Sequence, residues 1–249
     1  GKPFYGGTYF PPKRAFNRPS WQEVLQSVAQ AFQQKRNEID SQAENLTEHL
    51  VQANSFGLNA NTDPEQMFKN ENLVETFEII LKSADKEWGG FGKAPKFPQS
   101  FVILYLLRYY HVSDNQDALK QALLSIDKMI EGGIYDQVGG GFARYATDNE
   151  WLVPHFEKML YDTALLISVL SEAFQLTGKI RYREVIEETM QFILRELFFG
   201  EGGFYSALDA DSEGEEGKYY VWNYTEVKHL LGQDADIFCE FYDITPNGN

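Results

Sequence analysis

The chain has 249 residues, 43% hydrophobic and 24% charged, enough apolar side chain for one or two packed domains and too much for a disordered or fibrous protein. Its 22 Lys and Arg against 37 Asp and Glu leave a formal charge of −15, whose summed field repels phosphate and argues against a nucleic-acid or anionic-membrane partner. A single Cys239 excludes an internal disulfide and fits a reducing, cytoplasmic compartment; His49, His111, His155 and His229 lack metal-ligand spacing, so neither a metal nor a cofactor is expected.

In chain order, "KPFYGGTYFPP" sets two short aromatic runs around Gly6–Gly7 and stops at Pro11–Pro12, which predicts a β-hairpin over 2–11. A lone hairpin is marginal in water, so it implies a sheet that this chain lacks. Ser20 with Glu23 three residues on is a capping box; it opens a long helix over 21–52, with Trp21, Leu25, Val28, Phe32, Ile39, Leu46 and Leu50 near one stripe. The polar stretch "ANSFGLNANTD" reads as a linker over 54–63, and Asp63–Pro64 restarts helix. Helices follow over 64–86, 98–111, 115–131, 157–177, 180–199 and 224–231, the last capped by Asn223. No apolar run approaches the roughly 18 residues of a membrane-spanning helix. The opening "GKPFYGGTYF" has no initiator Met and the chain stops at "DITPNGN", so it reads as an internal fragment.

Between the helices, "WGGFGKAPKFPQ", "GGIYDQVGGGFARY" and "GGFYSALDADSEGEEGKYYVW" each carry Gly-Gly and then an aromatic or Ile after a helix end. Glycine there supplies a left-handed close to the helix, and the recurrence, though irregularly spaced, suggests repeated helical hairpins with their loops on one face.

Together, "GKPFYGGTYFPP", "GGFGKAPKFPQ", "GGIYDQVGGGFARYATDNEWLVPHFEKMLYD" and "ALDADSEGEEGKYYVW" closely resemble the YyaL and spermatogenesis-associated thioredoxin-like family, over essentially the whole chain. The resemblance implies a mainly α fold. Residues 1–53 would be the C-terminal hairpin and helix of a thioredoxin-like domain, and 64–249 the N-terminal part of an incomplete (α/α)6 six-hairpin toroid, related in shape to N-acylglucosamine 2-epimerases. It also places a redox Cys-x-x-Cys motif upstream, so the thioredoxin-like core and the remaining toroid hairpins would belong to a longer protein. Such a half ring should leave apolar helix faces exposed. The family brings architecture more than chemistry.

For chemistry, Pro154 suits a first helical turn, which would set His155 and Glu157 at a helix N-terminus and keep His155 neutral. On that helix His155 and Glu157 point about 200° apart, whereas His155 and Asp162 share a face roughly 10 Å apart along the axis. Arg144, Tyr145, Asp148, Trp151 and Asp162 are candidate substrate-binding residues, because carboxylates accept from sugar hydroxyls and flat rings pack on pyranose faces. An acid/base set would come from His155, Glu157, Asp136 and Asp209, with Asp148 a further candidate. The bland alternatives stand beside these: a His that fixes the glycine-rich loop, aromatics filling gaps between hairpins, Asp/Arg pairs locking the loop. "DADSEGEEG" places acids at calcium-loop positions but ends on Tyr220 where the bidentate Glu belongs, so it reads as a solvated acidic loop. Lys93 and Lys96 read as two solvated lysines.

Two functions follow: a toroid that binds or transforms a carbohydrate as an epimerase, isomerase or glycosidase, or a non-catalytic platform for a thioredoxin-like redox domain. Geometry discriminates them. The enzyme reading gains if His155 and one of the acids line a common cavity, and fails if all are consumed in loop ion pairs.

Overall fold

A computed structural model describes residues 1–15, 17–54 and 69–247, in two compact units, Gly1–Lys69 and Asn70–Asn249. In the first unit the Ser20 capping box forms as its sequence requires: the Glu23 amide donates to Ser20 Oγ at 3.3 Å and the Ser20 amide to Glu23 Oε2 at 2.7 Å. It opens α1 (Trp21–Gln34). The predicted hairpin over 2–11 does not form: those residues have no strand pairing, and Phe4 and Phe10 instead set their rings against Phe32 and Trp21 at 6.1 and 5.2 Å. With no third strand to cover it, an aromatic ribbon gains more by packing on a helix. The single long helix is also two helices, because the chain breaks at Lys35 before α2 (Arg36–Asn54), with no glycine or proline to account for it. Val24, Ile39 and Ala43 are buried, while Trp21, Leu25, Phe32, Leu46 and Leu50 of the predicted stripe stay exposed. The linker over 54–63 and the Asp63–Pro64 helix start lie, Asn54 apart, outside the described residues.

The second unit is built from helical hairpins. Its helices are α3 (Asn70–Ser83), α4 (Ser100–Ser113), α5 (Gln116–Glu131), α6 (Leu160–Thr177), α7 (Ile180–Phe192), α8 (Tyr224–Leu231) and α9 (Ala235–Phe241). Left-handed Asp114 closes α4, and Asn115 then caps α5 by accepting from the Asp117 and Ala118 amides, so the two helices turn back on each other within two residues. Gly178, also left-handed, joins α6 to α7 in the same way. Helices α4 and α6 read "SFVILYLLRYY" and "LYDTALLISVL", apolar on several faces, and α4 packs against both α5 and α6. Ile103, Leu106, Ile126, Met129, Val169 and Val185 fill the core between them.

Where helices 157–177 and 180–199 were predicted, the ends differ. Helix α6 begins only at Leu160 because the residues before it are paired, Pro154–His155 (β2) with Tyr145–Ala146 (β1), and Lys158–Met159 (β3) with Ala207–Leu208 (β6). Helix α7 passes at Ile193 into a π-helical turn and then into Phe198–Phe199 (β4), which pairs with Gly203–Phe204 (β5). A fourth pair, Asp211–Ser212 (β7) with Glu215–Glu216 (β8), turns through Glu213 and Gly214 at φ 56° and 80°. The acidic stretch is therefore a tight hairpin, the left-handed pair being what a two-residue turn needs.

Gly132 and Gly133 do not serve as a left-handed helix stop. Gly132 has φ −85°, and a methyl there would meet the Trp151 carbonyl at 2.5 Å, as one on Gly133 would collide with that of Leu152. Close approach of the next loop, not backbone handedness, requires these two glycines. No helix among the described residues is long and apolar enough to cross a membrane.

Candidate functional site

The β1–β2 hairpin carries Tyr145, Asp148, Trp151 and His155 of the predicted site, and its tip is held by its own residues. Asp148 accepts from the Glu150, Leu152 and Val153 amides at 2.6, 3.2 and 2.6 Å. Burial would raise its carboxyl, but these three amides hold it below the ordinary carboxylate value. Trp151, predicted as a sugar platform, is fully buried at 0% exposure; its indole donates to the Trp88 carbonyl at 2.9 Å. It is a core residue.

At the base of the hairpin four polar side chains form a series. Arg144 Nη1 donates to Glu157 Oε2 at 2.7 Å, that oxygen stands 3.8 Å from His155 Nε2, and His155 Nδ1 lies 2.6 Å from Glu216 Oε1. A carboxylate only accepts, so Nδ1 carries the hydrogen in this contact. The His155 ring stacks on Tyr145 at 4.8 Å, and Tyr145 in turn contacts Phe97 at 4.8 Å, which makes a short aromatic ledge beside the charges. His155 lies in a strand pair and not at a helix N-terminus, so the dipole expected to keep it neutral does not act on it, and the helical separations from Glu157 and Asp162 do not apply. In extended chain, residues two apart share a face, which is why His155 and Glu157 meet.

Asp162, in the first turn of α6, stands differently. Its Oδ2 is buried without a hydrogen-bond partner, as is Nε of Arg144. Burial, countered by the Tyr161 hydroxyl and the Arg144 guanidinium, raises its carboxyl to about 6.

Asp136 and Asp209 do not join the cluster. Asp136 accepts from Lys158 Nζ at 2.7 Å and from the Val138 and Gly139 amides, which outweigh the effect of burial and hold its carboxyl below the ordinary value. Asp209 is exposed and accepts from the Asp211 amide at 3.1 Å. Lys96, predicted to be solvated, is fully buried, with Nζ on Asp85 Oδ2 at 2.6 Å. A polar cleft of about 160 Å³ beside Gln137–Gly140, Glu188, Gln191 and Arg195, and an apolar one of about 370 Å³ along α8–α9, include none of the cluster residues. Among the described residues no group of three or more His, Cys, Asp or Glu is arranged to hold a metal ion.

Comparison with known proteins places this geometry. Residues 1–51 match the Thioredox_DsbH family model, described as a protein of unknown function, DUF255. The chain is 37% identical, over all of its length, to spermatogenesis-associated protein 20 of Homo sapiens, and 38% identical, over 92% of its length, to that of Mus musculus. Over essentially its whole length the chain is therefore similar to spermatogenesis-associated protein 20. It spans 34% of the human relative and 30% of the mouse one. Among solved structures, the chain superposes on a sugar epimerase from a ruminal bacterium (TM-score 0.50, 16% identity, 71% of this chain and 56% of that one). It also matches cellobiose 2-epimerase from Spirochaeta thermophila (0.51, 18%, 61% and 42%) and a D-mannose isomerase (0.50, 14%, 75% and 50%). Likeness at this identity speaks for the fold, which is mainly α and of the (α/α)6 toroid kind.

Sequence reasoning missed Glu216, Tyr161 and Phe97, which the fold brings to the cluster. Glu216 is remote along the chain; its one local signal is the Glu213–Gly214 turn, which puts it on a strand instead of in a loop.

Proposed function

We propose that the loop face of the second unit binds a carbohydrate, with Arg144, Glu157, His155 and Glu216 as hydrogen-bonding groups and Tyr145 with Phe97 as the apolar ledge for a sugar ring. One observation carries this reading: Asp162, a half-buried carboxyl with one buried, unpartnered oxygen and an affinity for protons near neutrality, lies within electrostatic reach of Arg144 and Glu157. A buried polar atom without a partner is costly unless a ligand supplies one. A carboxyl that titrates near 6 is also matched to moving a proton at neutral pH, which is what an epimerase or isomerase asks of its base at a carbon beside a carbonyl. Sugar-epimerising fold-mates agree with this reading.

The test is to incubate the protein in deuterated water with free hexoses and disaccharides, D-mannose and cellobiose among them, and to follow anomeric signals and deuterium uptake by NMR. New anomeric signals that disappear with Asp162→Asn support it. Unchanged sugar spectra, with no sugar-induced shift of the Tyr145 or His155 resonances, overturn it.

A second reading rests on a different observation. Asp136, Asp148, Glu157 and His155 all have protein partners, as expected of a non-catalytic platform for a thioredoxin-like domain. Sugar-induced shifts without deuterium uptake would favour a binding role without chemistry, and the absence of both would favour the platform.

A further inference from the structure

Two loops of the second unit repeat the same set of contacts around an aspartate. The amides of Asp85 and Asp136 donate to the Gly90 and Gly141 carbonyls, each at 3.0 Å. Each aspartate accepts on Oδ1 from the amides two and three residues on, Glu87 and Trp88 at 3.0 and 2.9 Å, Val138 and Gly139 at 3.1 and 2.7 Å. Each gives Oδ2 to a buried lysine, Lys96 at 2.6 Å and Lys158 at 2.7 Å. Both ammonium groups also donate to a carbonyl, of Asn149 and Gly140, and lie over an aromatic ring, of Trp151 and Phe192. In both, the residue before Asp bridges the following Phe, Ala84 with Phe91 and Tyr135 with Phe142. Finally, each lysine pairs its backbone with the next loop, Lys96 with Ala146 and Lys158 with Leu208. The repeat therefore registers Asp85 on Asp136, not the Gly-Gly of 89 on that of 132.

In that register the copies differ most in length. Four residues separate Phe91 from Lys96, whereas the fifteen between Phe142 and Lys158 include the β1–β2 hairpin, with Tyr145 and His155 on it and Glu157 just after it. The insertion ends at the lysine of the clamp. Phe156 and Lys158 both reach Tyr220 while His155 and Glu157 meet, so successive side chains take opposite sides, and a slip of one residue would exchange Lys158 and Glu157. An ammonium 3% exposed is costly to bury unless it is paired, so the inward side is reserved for Lys158.

We propose that Lys158 is a positioning residue: its clamp on Asp136 sets the register of segment 154–159 and so turns Glu157 and His155 towards Arg144 and Glu216. Its bearing on ligand binding rests on the carbohydrate reading, but the arrangement itself does not.

The test is therefore read without a ligand. The His155 ring, stacked on Tyr145, gives a ring-current-shifted Cε1–H signal, assigned by its loss in His155→Gln. Three variants weaken the clamp: Asp136→Asn, which keeps the amide bonds of the turn, Lys158→Met, and the charge-free pair Lys158→Met with Asp136→Leu. The expected result is a folded protein, by circular dichroism, whose His155 signal moves towards the free-histidine position, least in Asp136→Asn. The corresponding pair Lys96→Met with Asp85→Leu should move it less than the Lys158 pair. A folded variant with an unchanged His155 signal overturns the proposal. So does loss of the fold in all three, because the clamp would then serve the whole fold and not one segment. A protein that fails to bind sugars yet shows these shifts would overturn the carbohydrate reading alone.

Discussion

Replacing Asp162 by Asn keeps the shape of the side chain and removes its charge. Burial raises this carboxyl from an ordinary 3.8 to about 6. A rise of about two units corresponds to about 3 kcal/mol at 1.36 kcal/mol per unit, and because the group is only half-buried, solvent screening reduces this to about 1 kcal/mol. The folded protein takes up the proton before the unfolded chain does as pH falls. The cost of Asp162 is thus absent below about pH 4, grows as pH rises, and is fully present above about pH 6. Asn should then stabilise the protein by about 1 kcal/mol at pH 7.5, a rise in Tm of about 2–4 °C for a domain of this size, and by nothing at pH 4. Thermal melts of both proteins at pH 4, 5, 6 and 7.5 measure it. A gain independent of pH, or a loss at pH 7.5, would refute the assignment of the strain to the ionised carboxylate. A gain confined to neutral pH would mean that Asp162 is retained at a cost to stability, as a binding or proton-moving group would be.

Trp151→Ala should cost about 3–5 kcal/mol in urea denaturation, because it empties a fully buried site and leaves the Trp88 carbonyl without its donor. Asp148→Ala frees three amides at the hairpin tip, and limited proteolysis should cut near 147–153 at neutral pH. Because the folded-state pKa of Asp148 is depressed, its contribution is present at neutral pH and lost as pH falls through that value, so the variant and the parent should converge in acid. Ile237 and Phe241 on α9 are 74% and 79% exposed; the 249-residue chain should bind a hydrophobic dye, and Ile237→Lys with Phe241→Lys should reduce the signal.

The helices were legible because their signals are local: a capping box at Ser20 and Glu23, an Asn cap at Asn223, and apolar runs of helical length. The site was less so. Strands of two residues carry no alternation to detect, so Pro154–His155 read as the start of a helix and the Glu157 contact was hidden. Glu216 meets His155 only because the β7–β8 hairpin carries it there. Lysine is a surface residue type unless it is paired, and the places of Trp151 and Lys96 depend on partners elsewhere in the chain, Trp88 for one and Asp85 for the other. The repeat was visible as recurring glycine pairs but misaligned, since the aspartate that marks the register is common in any acidic chain.

Trp151 hangs from the second loop yet fills a space in the first, beside Gly90 and beneath the Lys96 ammonium, while its own carbonyl receives the Ile134 amide. Neither loop can therefore open alone. In hydrogen exchange the amides of Gly90 and Ile134, far apart in sequence, should be released together with one opening free energy, which joins two successive hairpins of the unit into a single cooperative element.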